Sequence, residues 1–236
     1  MKHVSAILLA AGKGKRLKAA NSDKPLIAIS SLPLLVYSLK ALSRHPLIRD
    51  IIVAVNSANS ARIKSAIKKY RIRKVRRVVL GGKERRDSVA NALKALRVET
   101  EFVLVHDGAR PFIDKKMITL VVRAAQKFGA AIVGVPVKAT IKKVRRTAYG
   151  VRRKTFVRNT IDRNNLWQIQ TPQVFRKDLI LKAYKKYRGA RVTDDASLVE
   201  KLGVAVGVVR GSYSNIKITT PEDLLFAREI ARGGKF

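Results

Sequence analysis

The sequence contains no cysteine and only three histidines among its 236 residues. The absence of cysteine excludes disulfides, thiolate metal sites and thiol catalysis. Histidines as scattered as His3, His45 and His106 do not favour a histidine-based metal centre. No apolar run is long enough to cross a bilayer. The first apolar run begins already at Val4, so we expect no cleaved signal or transit peptide. These absences favour a soluble intracellular protein, and we predict a cytoplasmic location.

Acidic residues are also scarce, since 16 Asp and Glu stand against 51 Lys and Arg, which gives a formal net charge of +35. Ion-pair networks do not explain this surplus of cations, because the acidic partners are missing. A field of this size attracts polyanions, so non-specific, salt-sensitive association with RNA is expected as a property of the surface. Within 62–70, however, the basic residues lie opposite an apolar helical stripe, as on the solvated side of an ordinary amphipathic helix. No aromatic RNA-binding motif or zinc-finger spacing accompanies them.

Apolar runs alternate with helical patterns along the chain. The runs predict strands at 4–10, 51–55, 77–80, 102–106, 130–137, 204–209 and 215–219. The patterns predict helices at about 33–43, 59–70, 87–97, 115–128, 176–188, 194–202 and 221–232. This alternation is typical of a doubly wound, mostly parallel, Rossmann-like α/β sheet, whose ligand crevice lies at the carboxyl ends of the strands. No linker or repeat divides the chain, so we expect residues 1–236 to form a single domain.

The stretch from Val137 to Trp167 breaks this alternation. Two short runs of strand character, 141–144 and 155–157, flank the turn-like Ala148-Tyr149-Gly150, which predicts a β-hairpin. The hairpin is rich in Lys and Arg and holds no acid. Two strands alone are marginal in water. We therefore predict a protruding β-hairpin arm at about 138–160 that packs against a second subunit and makes the protein a homodimer.

The first predicted strand ends in a cationic turn with two glycines, Ala10-Ala11-Gly12-Lys13-Gly14-Lys15-Arg16, and Lys24-Pro25 follows closely. Glycines leave backbone amides open to an oxyanion. The third glycine of the dinucleotide fingerprint and the Gly-Lys-Ser/Thr of a P-loop are both absent. Taken alone, the turn leaves a phosphate site and an ordinary basic turn as equal alternatives.

Two further segments follow predicted strands of the same sheet. Gly81–Val89 also opens a helix, so that its amides and Ser88 either meet a ligand or form a tight loop with Ser88 near the helix cap. Asp107 lies at the carboxyl end of the run 102–106 in a chain poor in acids, which makes it a candidate for a magnesium-associated ligand. The alternative is an aspartate that only forms a turn before glycine.

Two more segments carry cations that require a partner. Arg163, at the base of the arm, is suited to bind a substrate phosphate in bidentate fashion, or it pairs locally with Asp162. Lys217 lies inside the strand-like run 215–219, and a lysine within a sheet needs an anion or an exit to solvent. A phosphate would satisfy it.

In this order and spacing the segments resemble the 2-C-methyl-D-erythritol 4-phosphate cytidylyltransferase family, the CTP-using enzymes of the non-mevalonate isoprenoid pathway. The resemblance covers nearly the whole chain. It rests on Ala10-Ala11-Gly12-x-Gly14-x-Arg16, Lys24-Pro25, Gly81-Gly82-x-x-Arg85-x-x-Ser88-Val89, His106-Asp107-x-Ala109-Arg110-Pro111, Asp162-Arg163-Asn164-x-Leu166-Trp167, Thr171-Pro172-Gln173 and Asn215-Ile216-Lys217. The basic residues Lys83 and Arg86 depart from many relatives and bring positive charge into the cytidine loop.

The resemblance implies a nucleotidyltransferase that transfers CMP from CTP to methylerythritol phosphate by in-line attack at the α-phosphate, with Mg²⁺ accompanying CTP. It also implies a role for each matching residue. The cations that act on the phosphates in the family match Arg16, Lys24 and Lys217 here, and the acid near magnesium and the erythritol hydroxyls matches Asp107. The residues of the cytidine pocket match Ala10, Ala11, Gly12, Gly82 and Ser88. The residues of the acceptor site match Arg110, Thr140, Arg163 and Thr171. In the family the positions of Thr140 and Arg163 reach in from the neighbouring subunit's arm.

Two other functions remain open on the sequence. A cytidylyltransferase for another polyol phosphate, such as ribitol 5-phosphate, would share the CTP half and differ at Thr140, Arg163 and Thr171. A basic nucleic-acid-binding protein on a retired enzyme fold would be expected to have lost catalytic cations, whereas the matching cations and Asp107 are present.

Overall fold

The computed structural model describes residues 2–12, 14, 17, 24–147 and 154–234. The strands are β1 Val4–Ala10, β2 Ala28–Ile29, β3 Leu32–Pro33, β4 Ile48–Val55, β5 Val75–Leu80, β6 Phe102–Asp107, β7 Ala130–Pro136, β8 Ile141–Thr147, β9 Lys154–Ile161, β10 Trp167–Arg176 and β11 Gly207–Arg210. The helices are α1 Leu34–Arg44, α2 Ser60–Lys69, α3 Arg85–Leu93, α4 Lys115–Phe128, α5 Lys177–Lys186, α6 Ala196–Glu200 and α7 Pro221–Arg232, with a short 3-10 helix at Lys24–Leu26.

Seven of these strands form one sheet in the order β11-β7-β10-β6-β1-β4-β5. The strand β10 runs antiparallel to both of its neighbours, β6 and β7, while the other pairs are parallel. The sequence-based prediction of a doubly wound, mostly parallel α/β sheet is confirmed.

Helices cover both faces of the sheet because its strands are apolar on both sides. In β1, Ala6 and Leu8 pack into one buried cluster and Ile7, between them, into the other. The first cluster contains buried side chains of α1, α2 and α4, and the second those of α3, α5 and α6. Full burial on alternating sides explains why the run reads as continuously apolar rather than alternating.

The register brings three loops to one edge of the sheet. Leu9 of β1 pairs with Asp107 at the end of β6, so the turn after Ala10 lies beside Asp107. On the other side Val55 pairs with Leu80, and the amide of Gly81 donates to the carbonyl of Val55 at 2.7 Å. The carboxyl ends of β1, β5 and β6 therefore meet at the crevice that a doubly wound fold offers to ligands.

Three local predictions need correction. The polar segment at the base of the arm contains a strand, β10, which was not predicted. The strand predicted at 215–219 is wrong, because this segment is an extended connection outside the sheet, in which buried Ile218 donates its amide to the carbonyl of Ala109 at 2.9 Å. The strand predicted at 204–209 is present but spans Gly207–Arg210.

The predicted arm segment contains two strands that pair with each other. β8 and β9 are antiparallel from Ile141 opposite Ile161 to Thr147 opposite Lys154, and they form a sheet separate from the seven-stranded one. The turn predicted at 148–150 lies outside the described residues. Within the described part of the chain, no helix combines the length and apolar character needed to span a membrane.

Candidate functional site

Asp107 lies at the centre of a charged cluster at the crevice edge. It is 7% exposed, its Oδ1 accepts a hydrogen bond from Arg85 Nε at 3.1 Å, and its Oδ2 accepts one from Lys217 Nζ at 2.6 Å. Burial alone would raise the pKa of this carboxyl group, but Arg85 and Lys217 outweigh burial and hold the pKa well below its usual range. Asp107 is therefore an ionised carboxylate held between two cations.

Arg85 joins Asp107 to a second buried carboxylate. Its Nη2 donates to Asp195 Oδ2 at 2.9 Å, and the hydroxyl of Tyr184 donates to the other oxygen, Oδ1, of Asp195. Burial alone would lower the pKa of the guanidinium, but Asp195 and Asp107 hold it above its ordinary value. The pKa of Tyr184 is raised by burial and by the neighbouring carboxylate of Asp195, so its hydroxyl remains a donor.

A directed chain of hydrogen bonds runs behind Asp107. The amide of Asp107 donates to Thr171 Oγ1 at 3.0 Å, which lies 3.0 Å from His106 Nδ1, and His106 Nε2 lies 3.0 Å from the carbonyl oxygen of Arg110. A carbonyl only accepts, so His106 Nε2 carries the proton and Nδ1 accepts from the Thr171 hydroxyl. Burial lowers the pKa of His106 to about 4, which agrees with a neutral ring. The chain fixes the Thr171 hydroxyl and the main chain around Arg110.

Arg110 and Asn215 present unpaired polar atoms beside this chain. Arg110 Nη1 donates to the carbonyl of Asn215 at 2.7 Å, and Asn215 Nδ2 donates to Thr171 O and Gln170 Oε1, each at 3.0 Å. Arg110 Nε and Asn215 Oδ1 are buried and have no partner among the described residues. A donor and an acceptor left open in this way are suited to a water or to a polar group of a ligand.

The loop after β5 packs closely against the turn after β1. A Cβ on Gly81 would lie 2.5 Å from the Cβ of Ala11 and 2.6 Å from Ser88 Oγ, so only glycine permits this approach. The amide of Gly82 donates to Ser88 Oγ at 3.1 Å. Ser88 lies inside α3 rather than at its cap, and Glu84 occupies the N-cap position. Gly82 and Ser88 are thus in one loop beside Ala11.

The remaining residues to which the resemblance assigns nucleotide binding lie at and after the end of β1. The carbonyl oxygens of Ala10 and Ala11 accept from Asn59 Nδ2 at 3.2 Å and Asn56 Nδ2 at 3.4 Å, which fixes the end of β1. Gly12, further along, is exposed. Arg16 lies outside the described residues.

Three basic positions can be placed relative to the loops after β1 and β5. Lys24 opens the short 3-10 helix, and a Cβ on Gly14 would lie 2.9 Å from the Lys24 Cβ, so Lys24 is beside the first turn. Arg86 is directed to a different partner, since its Nη2 donates to the carbonyl of Tyr187 at 2.5 Å. The charge that Lys83 adds remains in the loop, where the side chain is exposed.

Thr140 and Arg163 are exposed and flank the two arm strands in the sequence. Arg163 Nη1 donates to the carbonyl of Lys138. The alternative of a local pair with Asp162 is not found, and Asp162 instead accepts from the amide of Asn164 at 3.0 Å. Arg163 accordingly bridges the two ends of the arm segment, since Lys138 precedes β8 and Arg163 follows β9.

Arg85 and Asp195 were not singled out from the sequence as site residues. Arg85 belongs to the Gly81–Val89 segment, but no local pattern links it to Asp195, because 110 positions separate the two residues. The available signal was the adjacent pair Asp194-Asp195 in a chain with few acids.

The cluster fits a magnesium ion that arrives with a nucleotide, not a metal held by protein ligands alone. Both oxygens of Asp107 already bind cationic side chains, and no group of three or more metal-ligating side chains occurs in the described parts of the chain. Mg²⁺ is commonly held by one or two carboxylates plus substrate phosphates. Asp107 meets that requirement once Lys217 releases one of its oxygens.

Comparisons with known proteins agree over nearly the whole chain. The model of the family described as "IspD: 2-C-methyl-D-erythritol 4-phosphate cytidylyltransferase" matches residues 4–232. The protein of that name from Geobacillus kaustophilus is 47% identical over 227 residues, with 95% of each chain covered. Its namesake from Alkaliphilus metalliredigens is 47% identical over 230 residues, covering 96% of this chain and 92% of the other. The crystal structure of 4-diphosphocytidyl-2C-methyl-D-erythritol synthase from Anaerococcus prevotii matches with a TM-score of 0.83 and 36% identity, covering 98% and 96% of the two chains.

An open α/β sheet with glycine-bearing loops and a cationic cluster at the same crevice, together with these likenesses, defines an enzyme of the nucleotidyltransferase class. Within that class the chain belongs to the 2-C-methyl-D-erythritol 4-phosphate cytidylyltransferase family. The resemblance drawn from the motifs is confirmed. Neither alternative, an enzyme for ribitol 5-phosphate or a retired fold that binds nucleic acid, is favoured by relatives that all carry the methylerythritol name.

Proposed function

We propose that this protein transfers CMP from CTP to 2-C-methyl-D-erythritol 4-phosphate and releases pyrophosphate. The observation that carries the proposal is the family match over residues 4–232. The charged cluster supports it, because the reaction brings two polyanions together and the crevice edge offers Lys217, Arg85 and Arg110 near the ionised carboxylate of Asp107. A cytoplasmic location is part of the proposal, since CTP is a cytosolic metabolite.

The acceptor phosphate is itself an anionic nucleophile, so the reaction requires no general base and no covalent intermediate. What the protein supplies is alignment for in-line attack on the α-phosphorus and positive charge to stabilise the crowded centre. Arg16, Lys24 and Lys217 supply that charge. Backbone groups of Ala10, Ala11, Gly12 and Gly82, with the hydroxyl of Ser88, bind the cytidine.

The acceptor lies on the side of the crevice lined by Asp107, Arg110 and Thr171. Arg110 has an unpaired Nε and the Thr171 hydroxyl is held in place by the His106 chain, so this wall is organised before the acceptor binds. Asp107 would hold Mg²⁺ together with the nucleotide phosphates, and the ion would neutralise charge on the leaving pyrophosphate.

Thr140 and Arg163 complete the acceptor site of a second subunit, so the protein acts as a homodimer through the arm. In support, the arm strands form a sheet of their own and expose large apolar side chains, including Phe156 at 45% and Val157 at 60%. A two-stranded sheet with such a surface needs a covering partner. A second copy of the chain provides one, and in the proposed dimer Arg163 of one subunit binds the acceptor phosphate in the site of the other.

The proposed reaction is tested by measuring pyrophosphate release from CTP and magnesium, with methylerythritol phosphate and ribitol 5-phosphate supplied in parallel. We expect release with methylerythritol phosphate and none above background with ribitol 5-phosphate. Release with ribitol 5-phosphate alone would contradict the acceptor, and no release with either from a folded dimer would contradict the activity.

The excess of cations supports a second property, non-specific association with RNA. A cleft of about 330 Å³ is lined by Arg76 and Arg77 of the edge strand β5 and by Lys94 and Arg97. Glu99 also lines it and pairs with Arg97 at 3.3 Å. The cleft lies near the start of β5 and before the start of β6, at the edge opposite the crevice. Among the described residues, no aromatic side chain lines it, so this lining offers contacts to phosphates without base stacking.

Replacing Arg76, Arg77 and Lys94 with glutamine should weaken binding of single-stranded RNA and make the slope of log K against log salt less steep by about two. Fluorescence anisotropy across a salt series measures this slope. The matched control replaces three exposed lysines of another surface, Lys182, Lys185 and Lys186. Equal losses from both triple variants would show that the cleft is not the binding site.

A further inference from the structure

The carboxylate of Asp107 binds two cationic side chains, Lys217 and Arg85, and these differ in exposure and in the contacts that fix their own position. Lys217 reaches Asp107 Oδ2 from an extended connection, and 40% of its side chain is exposed. Arg85 reaches Oδ1 from the first turn of α3 with 26% of its side chain exposed. Lys217 can therefore leave the carboxylate for a ligand in the crevice, while Arg85 is constrained by its surroundings.

The constraint on Arg85 is Asp195, whose side chain is 1% exposed. One carboxylate oxygen of Asp195 accepts from Arg85 at 2.9 Å, and the other accepts from the Tyr184 hydroxyl. The amide of Asp195 donates to Gln173 Oε1 at 3.2 Å, which attaches the residue to β10. Asp195 is thus fixed from three directions by α3, α5 and the sheet.

We propose that Arg85, anchored by Asp195, is a positioning residue that keeps Asp107 in place when Lys217 transfers from the carboxylate to a substrate phosphate. The inference rests on the proposed function, because it needs Lys217 to bind phosphate and Asp107 to act beside it. A phosphate carries more charge than a carboxylate and competes for the same ammonium group. After the transfer, Arg85 remains on the carboxylate of Asp107, because it is the other of the two described side chains that bind this group.

The fork of the guanidinium explains why an arginine is required at this position. Arg85 binds two carboxylates through two different nitrogens, Nε to Asp107 and Nη2 to Asp195. A lysine ammonium is a single point charge on a flexible stem and cannot hold both carboxylates in a fixed relative position. A small displacement of a catalytic group costs up to about 100-fold in rate.

The test compares Arg85→Lys and Asp195→Asn with the wild type and with Asp107→Asn, each alone and in combination with Asp107→Asn. We expect Arg85→Lys to lower kcat by about 10- to 100-fold, with KM for CTP changed less than about threefold. Asp195→Asn should lower kcat by a smaller factor. Binding of CTP, measured by calorimetry, should change little. In the Asp107→Asn background neither substitution should lower kcat further, because the group that they position is absent.

The matched control is Arg176→Lys, since Arg176 pairs with Asp178 at 2.6 Å on the surface, and its kcat should equal that of the wild type. A normal kcat in Arg85→Lys would overturn the inference. If Arg85→Lys lowered kcat by the same factor in the wild-type and Asp107→Asn backgrounds, Arg85 would act independently of Asp107, and the inference would also be overturned. Wild-type kcat in Asp107→Asn would contradict the proposed role of Asp107 itself. A loss in Asp107→Asn with none in Arg85→Lys would overturn this inference alone.

Discussion

Lys217→Ala should lower kcat by about 100- to 1,000-fold while leaving the fold intact, by analogy with the loss of one preorganised donor at a developing charge. Lys217 lies on an extended connection and 40% of its side chain is exposed, so truncation leaves no cavity in the core. In the proposed reaction, truncation removes a cation that stabilises charge on the phosphates. Lys24→Ala is expected to behave in the same way.

Steady-state pyrophosphate release and a urea unfolding curve on the same preparation distinguish lost chemistry from lost structure. Lys64→Ala is a suitable control, because Lys64 is an exposed lysine on the outer side of α2. Its kcat and unfolding midpoint should both match the wild type. A kcat near that of the wild type in Lys217→Ala would remove this lysine from the mechanism, and a shifted unfolding midpoint would assign it a structural role instead.

The sheet was predictable because its strands are buried on both faces. A short, continuous apolar run such as Val4–Ala10 is typical of such a strand. Helix starts were equally clear where a cap residue precedes the pattern. Asp114 accepts from the amide of Met117 at 2.7 Å, and Thr220 forms a capping box with Asp223 at the start of α7. These features depend on neighbours in the sequence.

The strand β10 could not be predicted on the same grounds, because its buried side chains include polar ones. Gln170 and Gln173 are buried in it, and both find hydrogen-bond partners far along the chain, Ser212 and Asp194. A pattern that counts apolar residues scores such a strand as a loop. The polar residues are tolerated in the sheet because the fold supplies their partners.

The error at 215–219 has the opposite origin. Its apolar residues suggested a strand, but Ile218 is buried in a small cluster with Phe112 and Ala227 of α7, outside the sheet. Apolar character therefore predicted burial correctly and secondary structure wrongly. The expectation that Lys217 needs an anion is met within the chain by Asp107, a contact across 110 positions that no local pattern reveals.

A hybrid dimer of two inactive variants should regain activity, because Arg163 is proposed to act in the site of the other subunit. Arg163→Ala and Lys217→Ala homodimers should both be nearly inactive, since each site lacks one phosphate-binding cation. A hybrid with one chain of each kind should recover about half of the wild-type activity, because one of its two sites takes Lys217 from one subunit and Arg163 from the other, both intact. The second site lacks both.

The hybrid is obtained by coexpressing the two variants with different affinity tags and purifying through both, and pyrophosphate release per dimer is then compared with a doubly tagged wild type. Thr140 provides an independent check. A hybrid of Thr140→Ala with Lys217→Ala should recover activity in the same way. A hybrid of Thr140→Ala with Arg163→Ala should not, because both substitutions lie in the arm and each site then receives a defective arm. If each site were built from a single chain, every hybrid would be as inactive as its parents. Recovery in the first two hybrids and its absence in the third is the pattern expected only when the arm of one subunit completes the acceptor site of the other. Such an arrangement also explains why the arm strands form a sheet apart from the main sheet of their own chain.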